Sequence, residues 1–315
     1  MPTSTSPKSP SSDRTLIQQG ITPDPRFSAS RSTVPVAGET TMTRILITGS
    51  NSGFGRLAAL SLAREDHQVI ATMRTLAKGE ELRSTAEEEG LGIEIRQLDV
   101  CDPDSVDTCM ADPLDIDVLV NNAGFEVQGA IDQIDDALMQ RQLETNVMGP
   151  LRTMRAVLPG WSERGSGVIV NVSSIAGRVA PPYSGAYSAS KHALEAITEA
   201  LHFEVSHLGI RVHLIEPGRF ATNFQDNIVF PESWDGSPQQ QRALAFRESL
   251  TSLDGDGPPA DPQTVADAIV RAATDPSMPF RTLVGADAEL IDATKTSMSF
   301  EDFETTMRTA LDWHD

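Results

Sequence analysis

From Thr43 onward the sequence alternates short apolar runs with longer stretches of helical periodicity. The runs are RILIT (44–48), QVIATM (68–73), IEIRQLDV (93–100), IDVLVNN (116–122), GVIVNVSS (167–174) and IRVHLIEP (210–217). Short, nearly continuous apolar segments separated by helices read as strands buried on both faces, and a parallel sheet with helices on either side provides that burial. The expected fold is therefore an α/β, doubly wound parallel sheet flanked by helices, whose ligands bind outside the carboxyl ends of the strands.

The rhythm breaks between about 219 and 260, where Pro, Gly and Asp clusters surround Phe220, Phe224, Phe230, Trp234 and Phe246. A long insertion of this kind reads as a substrate lid. A helix over about 262–273, a short strand near RTLVG and a helix from about 299 complete one domain over 43–315. Residues 1–42 are rich in Ser, Thr and Pro and lack hydrophobic periodicity, so a disordered extension is expected. Met42 directly before the first strand leaves a misplaced start as the alternative.

The net charge of -20, from 45 acidic and 25 basic side chains, repels polyanions and argues against nucleic acid as a partner. Lysine occurs only as Lys8, Lys78, Lys191 and Lys295. An acidic surface poor in lysine suits a saline cytosol, and an arginine-favouring genome accounts for the lysine count equally well. No run approaches the roughly 18 apolar residues of a membrane span. Cys101 and Cys109 are too few for a disulfide framework and read as structural residues in a reducing, cytoplasmic setting. His67, His192, His202, His207, His213 and His314 have no ligand spacing, so no metal is expected.

TGSNSGFG, Thr48 to Gly55, follows the first strand and opens a helix near Gly53. A bare strand-to-helix turn has this composition too, but here strand and helix both stand where a dinucleotide's pyrophosphate needs them. Gly49, Ser50, Asn51, Ser52, Gly53, Phe54 and Gly55 are thus candidate cofactor-binding residues. The second strand ends at Met73 and Arg74, where an NAD-preferring protein usually carries an acidic residue. A guanidinium attracts a 2'-phosphate, so NADP(H) is favoured and NAD(H) remains possible. A solvated surface arginine is the plain alternative. Asp99 and Val100 in LDV, and Asn122, Ala123 and Gly124 in NNAG, end strands on the ligand-binding edge. Asp99 is a candidate acceptor for the adenine amino group, and Asn122 can equally brace the turn.

GAYSASK places Tyr187 and Lys191 one helical turn apart on one face. A neighbouring ammonium is expected to lower the phenol's pKa enough for proton transfer at working pH. Ser174 ends a strand thirteen residues earlier and can hydrogen-bond a substrate oxygen. Its neighbour Ser173 must point the other way if strand alternation holds.

TGSNSGFG, NNAG, Asn146 in ETNVMG, NVSS followed by YSASK, and EPGRFAT together resemble the short-chain dehydrogenase/reductase family over about 43–285. The resemblance implies a Rossmann-type fold, a nicotinamide cofactor and a catalytic set of Asn146, Ser174, Tyr187 and Lys191. In that scheme Ser174 orients the substrate oxygen and Tyr187 transfers the proton. Lys191 also binds the nicotinamide ribose, Asn146 holds a relay water, and Pro217, Gly218 and Thr222 lie at the nicotinamide. It also implies a homodimer or homotetramer formed through helices near 134–159 and 185–207.

The expected activity is NADP(H)-dependent hydride transfer to or from a carbonyl or secondary alcohol. Phe125, Tyr183 and the aromatic lid residues point to an apolar substrate of the hydroxysteroid, retinol or general carbonyl type. A nicotinamide-sensing regulator on the same fold is the alternative, although such proteins generally lose the catalytic set. The three-residue SNS gap in the first glycine motif argues against an epimerase or dehydratase of the family's longer branch.

Overall fold

The computed structural model describes residues 42–111, 115–251 and 260–313. Apart from Met42, the extension expected over 1–42 lies outside the described residues, as does His314. Seven strands, β1 (Arg44–Ile47), β2 (Gln68–Met73), β3 (Ile93–Gln97), β4 (Val118–Asn121), β5 (Gly167–Val172), β6 (Ile210–Pro217) and β7 (Arg281–Val284), form one sheet. Their order is β3-β2-β1-β4-β5-β6-β7, and every pairing is parallel. The order reverses between β1 and β4, which opens a crevice at the carboxyl edge of the sheet. The doubly wound expectation is therefore met, with RTLVG supplying the seventh strand.

Helices α1 (Gly53–Arg64), α2 (Glu80–Glu89), α3 (Pro103–Cys109), α4 (Asp136–Leu143), α5 (Gly149–Arg164) and α6 (Gly185–Val205) cover the sheet in turn. They are followed by α7 (Pro238–Thr251), α8 (Gln263–Thr274), α9 (Ala286–Thr296) and α10 (Phe300–Ala310). Beneath the continuous apolar runs a period of two still operates. Ile45 and Ile47 pack toward α1 and α8 with Val168 and Val170, whereas Leu46 and Ile169 pack toward α5 and α6 with Trp161 and Leu201. Trp161 shows how closely the second layer fits. A Cβ on Gly167 would lie 2.2 Å from the indole, whose N–H donates to the Ile116 carbonyl at 2.8 Å.

Several strands end earlier than their apolar runs. β3 stops at Gln97 because its ladder partner β2 stops at Met73, and β5 ends at Val172, although the Ser173 N–H still donates to the Ile215 carbonyl of β6 at 2.7 Å. β1 likewise ends at Ile47, one residue before the glycine-rich turn. α7, inside the expected lid, shows little amphipathic pattern in PQQQRALAFRESLT, and it buries only Ala243 and Phe246. The long helix expected over 134–159 is divided: five residues, Glu144–Met148, form a π-turn between α4 and α5.

Candidate active site

A cleft of about 680 Å³ opens at the carboxyl edge of the sheet, within the size range of ligand pockets. One end is lined by Gly49, Asn51, Ser52, Gly53 and Phe54 from the turn after β1, by Arg74 and Lys78 beyond β2, and by Asp99 and Val100 beyond β3. Gly49 adopts φ +69°, and a Cβ there would come 2.8 Å from the Ala123 Cα, so the turn can lie against NNAG only without a side chain. Ser52 caps α1 without a side-chain hydrogen bond, and the first turn holds no acidic residue. The helix therefore presents free N–H groups and the positive end of its dipole to the cleft. This cradle suits a dinucleotide pyrophosphate.

The candidate residues are not all contacts. Ser50 is fully buried; its hydroxyl donates to the Ile47 carbonyl at 2.9 Å and its N–H to Thr72 at 2.9 Å. Gly55 makes room for the Asn122 amide and the Gly49 carbonyl. Neither lines the cleft, because both are spent holding the turn in shape. Asn122 does both things considered for it. It lines the cleft while its amide donates to the Thr48 and Gly49 carbonyls, each at 3.0 Å. Asp99 accepts from the Cys101 N–H at 3.0 Å and keeps a place on the wall. Arg74 is exposed, and its guanidinium makes no ion pair among the described residues. Lys78, carried on a short 3-10 turn after β2, joins it; no periodicity in the sequence marked that turn.

At the other end, Ser174, Tyr187 and Lys191 line the same cleft beside Pro217, Gly218 and Thr222. Lys191 is buried, donates to the Val172 carbonyl at 2.8 Å and lies 5.7 Å from the centre of the Tyr187 ring. Ser174 accepts from the Ala176 N–H at 3.1 Å, and its hydroxyl donates to the Pro217 carbonyl at 3.5 Å. Ser173, expected to point the other way, lines the cleft too; it is buried and its hydroxyl has no hydrogen-bond partner among the described residues.

The expectation that Lys191 lowers the phenol's pKa is not met. Burial, and then the nearby Glu126 carboxyl, push Tyr187 above the ordinary tyrosine range, with the Ser174 hydrogen bond opposing. Burial also pushes Lys191 down to about 8, with Glu195 acting against the shift. Two neighbouring groups taken out of water each favour their neutral form, so the ammonium has less charge to lend.

Asn146 is buried in the π-turn and does not line the cleft. Its amide donates to the Phe125 carbonyl and to Ser190, each at 3.0 Å, while its oxygen accepts from the Phe125 N–H at 3.2 Å. Both amide donors are spent. Ser190 in turn donates to the Tyr187 carbonyl at 2.7 Å, which ties Asn146 to α6.

The apolar wall also differs in detail from expectation. Phe125, Phe220, Phe224 and Phe246 line it, whereas Tyr183, Phe230 and Trp234 pack on one another outside it. Glu126 and Gln128, which sequence reasoning missed, line the cleft as well, and the segment GFEVQG carries no pattern that singles them out. Cys101 also lines the cleft, with its thiol 3.2 Å from the Thr145 hydroxyl, and burial pushes both cysteine thiols up. Among the described residues no three His, Cys, Asp or Glu side chains converge on a metal position, and no helix is long and apolar enough to cross a membrane.

The family model described as short chain dehydrogenase matches residues 43–232. Retinol dehydrogenase 8 of Homo sapiens is 35% identical over 249 residues, covering 75% of this chain and 79% of that one. A short-chain dehydrogenase from Streptomyces avermitilis superposes with a TM-score of 0.71 at 33% identity, covering 87% of this chain and 100% of the other. A short chain dehydrogenase/reductase from Burkholderia phymatum, solved in complex with NAD, gives 0.70 at 25% identity over 84% of this chain and 95% of its own.

Proposed function

Because the chain belongs to the short-chain dehydrogenase/reductase family, we propose that it is an NADP(H)-dependent oxidoreductase acting on an apolar carbonyl or secondary alcohol. The observation that carries this reading is that one cleft joins Ser174, Tyr187 and Lys191 to a glycine-rich helix N-terminus bordered by Arg74 and Lys78. The nicotinamide cofactor supplies or accepts the hydride. Gly49, Asn51, Ser52 and Gly53 would hold its pyrophosphate, Asp99 and Val100 its adenosine, and Pro217, Gly218, Thr222 and Lys191 its nicotinamide end. The unpaired guanidinium of Arg74, with Lys78 nearby, supports the 2'-phosphate form, since two cations balance charge that NAD lacks there.

In the reduction direction, the Ser174 hydroxyl holds the substrate oxygen and the Tyr187 hydroxyl gives that oxygen its proton as negative charge develops. A phenol held protonated by its surroundings suits a donor. Asn146 positions Tyr187 through Ser190, because both of its amide donors are committed, one to the Phe125 carbonyl and one to the Ser190 hydroxyl. Phe125, Phe224 and Phe246 favour an apolar chain, which agrees with similarity to a retinol dehydrogenase. Free Cys101 and Cys109 suit a reducing cytoplasm. The exposed Phe203 on α6 supports self-association through that helix.

The test is oxidation of NADPH in the presence of a ketone panel by the wild-type chain and by Tyr187→Phe. Proton transfer by a positioned group contributes roughly a hundred- to ten-thousandfold, so the variant should lose that factor while still binding the dinucleotide. Equal rates would overturn the mechanism; a chain that binds NADPH but turns over no carbonyl would favour the nicotinamide-sensing alternative.

A further inference from the structure

The segment after NNAG is extended and pairs with the insertion. Val229 N–H donates to the Glu126 carbonyl at 2.9 Å, and Gln128 N–H donates to the Val229 carbonyl at 3.0 Å. Residues 126 and 128 therefore share one side of this short extended segment, and residue 127 takes the other. Val127 is fully buried in a small apolar cluster with Phe125 and Ala186, while Glu126 and Gln128 both line the cleft. Gln142 holds the segment in register by donating to the Phe125 carbonyl at 2.8 Å and accepting from the Val127 N–H at 2.5 Å.

Glu126 and Gln128 add two polar side chains to the cleft wall beside Phe125, and a polar group taken out of water needs a hydrogen-bond partner. Glu126 is 8% exposed and Gln128 4%. Glu126 receives one hydrogen bond, from Ser184 at 2.7 Å, on one of its two oxygens. The side-chain amide of Gln128 has no hydrogen bond among the described residues. Ser184 precedes Tyr187 by three residues at the start of α6, and the Glu126 carboxyl is close enough to act on the Tyr187 phenol. The polar ends of both side chains thus open on the cleft, Glu126 beside the start of the helix that carries Tyr187.

We propose that Glu126 and Gln128 form a second polar anchor for the substrate, taking a neutral hydroxyl carried close to the reacting carbon. This deepens the oxidoreductase reading and rests on it. A hydroxyl can donate to the carboxylate and accept from the Gln128 amide at once. An ammonium fits less well. It offers nothing to the amide donor, and Arg247 on α7, which also lines the cleft, already places a positive charge on Glu126. Burial moreover raises the Glu126 carboxyl's pKa, and a hydroxyl can pair with either protonation state.

The test is calorimetric binding to the full chain loaded with NADPH, which makes no reactive pair with an alcohol. The ligands are a secondary fatty alcohol, the matching vicinal diol and the matching vicinal amino alcohol. The diol should bind about tenfold tighter than the monohydric alcohol, the effect of one charge-assisted hydrogen bond. Glu126→Leu should bring that ratio close to one, and Glu126→Gln should keep part of it. Gln128→Leu should lower the ratio by about threefold, which gives a second reading should Glu126→Leu fail to fold. A diol no tighter than the simple alcohol, a ratio that survives the leucine variants, or an amino alcohol that outbinds the diol would overturn the proposal. Failure of the wild-type chain to oxidise any of the three with NADP+ would instead strike the oxidoreductase reading, and the binding ratio would still decide this one.

Discussion

Lys191 lies 5.7 Å from the centre of the Tyr187 ring, yet its ammonium donates to the Val172 carbonyl at 2.8 Å. The lysine of the helical-turn pair is thus braced against the sheet, and burial holds it near 8 in place of an ordinary 10.5.

A lysine whose pKa is lowered in the fold binds fewer protons folded than unfolded between about 8 and 10.5, so this group makes stability rise with pH across that window. Below about 8 its penalty is present in full. Lys191→Met should therefore melt at a higher temperature than wild type at neutral pH, by at most roughly 3 kcal/mol of stability before about 1 kcal/mol is lost with the Val172 hydrogen bond. The difference should close as pH nears 10.5, and turnover should be lost throughout. Scanning calorimetry at several pH values checks this; a variant less stable than wild type at neutral pH would contradict it.

Glu216, at the end of β6, and Glu195, on α6, are both buried and share Arg281. Burial and Glu195 push Glu216 up to about 7 from 4.5. Here the folded state binds more protons, so this group makes stability fall as pH rises from about 4.5 to about 7. Glu216→Gln should flatten that part of the stability profile, as read by denaturant midpoints in a pH series. An unchanged slope would mean that Arg281 keeps the carboxylate ionised.

Arg74 is, with Lys78, an exposed cation at the glycine-rich end of the cleft. Replacing it with glutamate should weaken NADPH binding by about ten- to a hundredfold, the range of a lost charge-assisted hydrogen bond, and bring NADH to parity or better. Fluorescence titration of both dinucleotides measures the ratio. No change would identify Arg74 as a solvated surface residue.

Gly49→Ala places a Cβ 2.8 Å from the Ala123 Cα at φ +69°. A non-glycine residue in that region costs roughly 1–3 kcal/mol before the contact is counted. The variant should melt earlier and lose dinucleotide binding more than the melting shift alone explains, because the turn moves away from NNAG. Thermal melts with and without NADPH separate the two effects.

Features that depend on neighbours along the chain could be read in one dimension. Six apolar runs announced a two-faced parallel sheet, the glycine turn lay where strand met helix, and Tyr187 and Lys191 were on one helix face because four residues make one turn. Strand ends were less legible because a ladder stops where its partner stops, as β3 does beside β2. The electrical state of Tyr187 and Lys191 came from the folded packing, since desolvation depends on every element around a group. That packing alone placed Ser50 and Gly55 behind the cleft wall, where they hold the turn in shape, and it committed the Asn146 amide to Phe125 and Ser190. It also set Glu126 against Ser184, 58 residues away, in the wall of one cleft. Periodicity is a local property and survives in one dimension; proximity across the fold and exclusion of water arise when the layers close over the sheet.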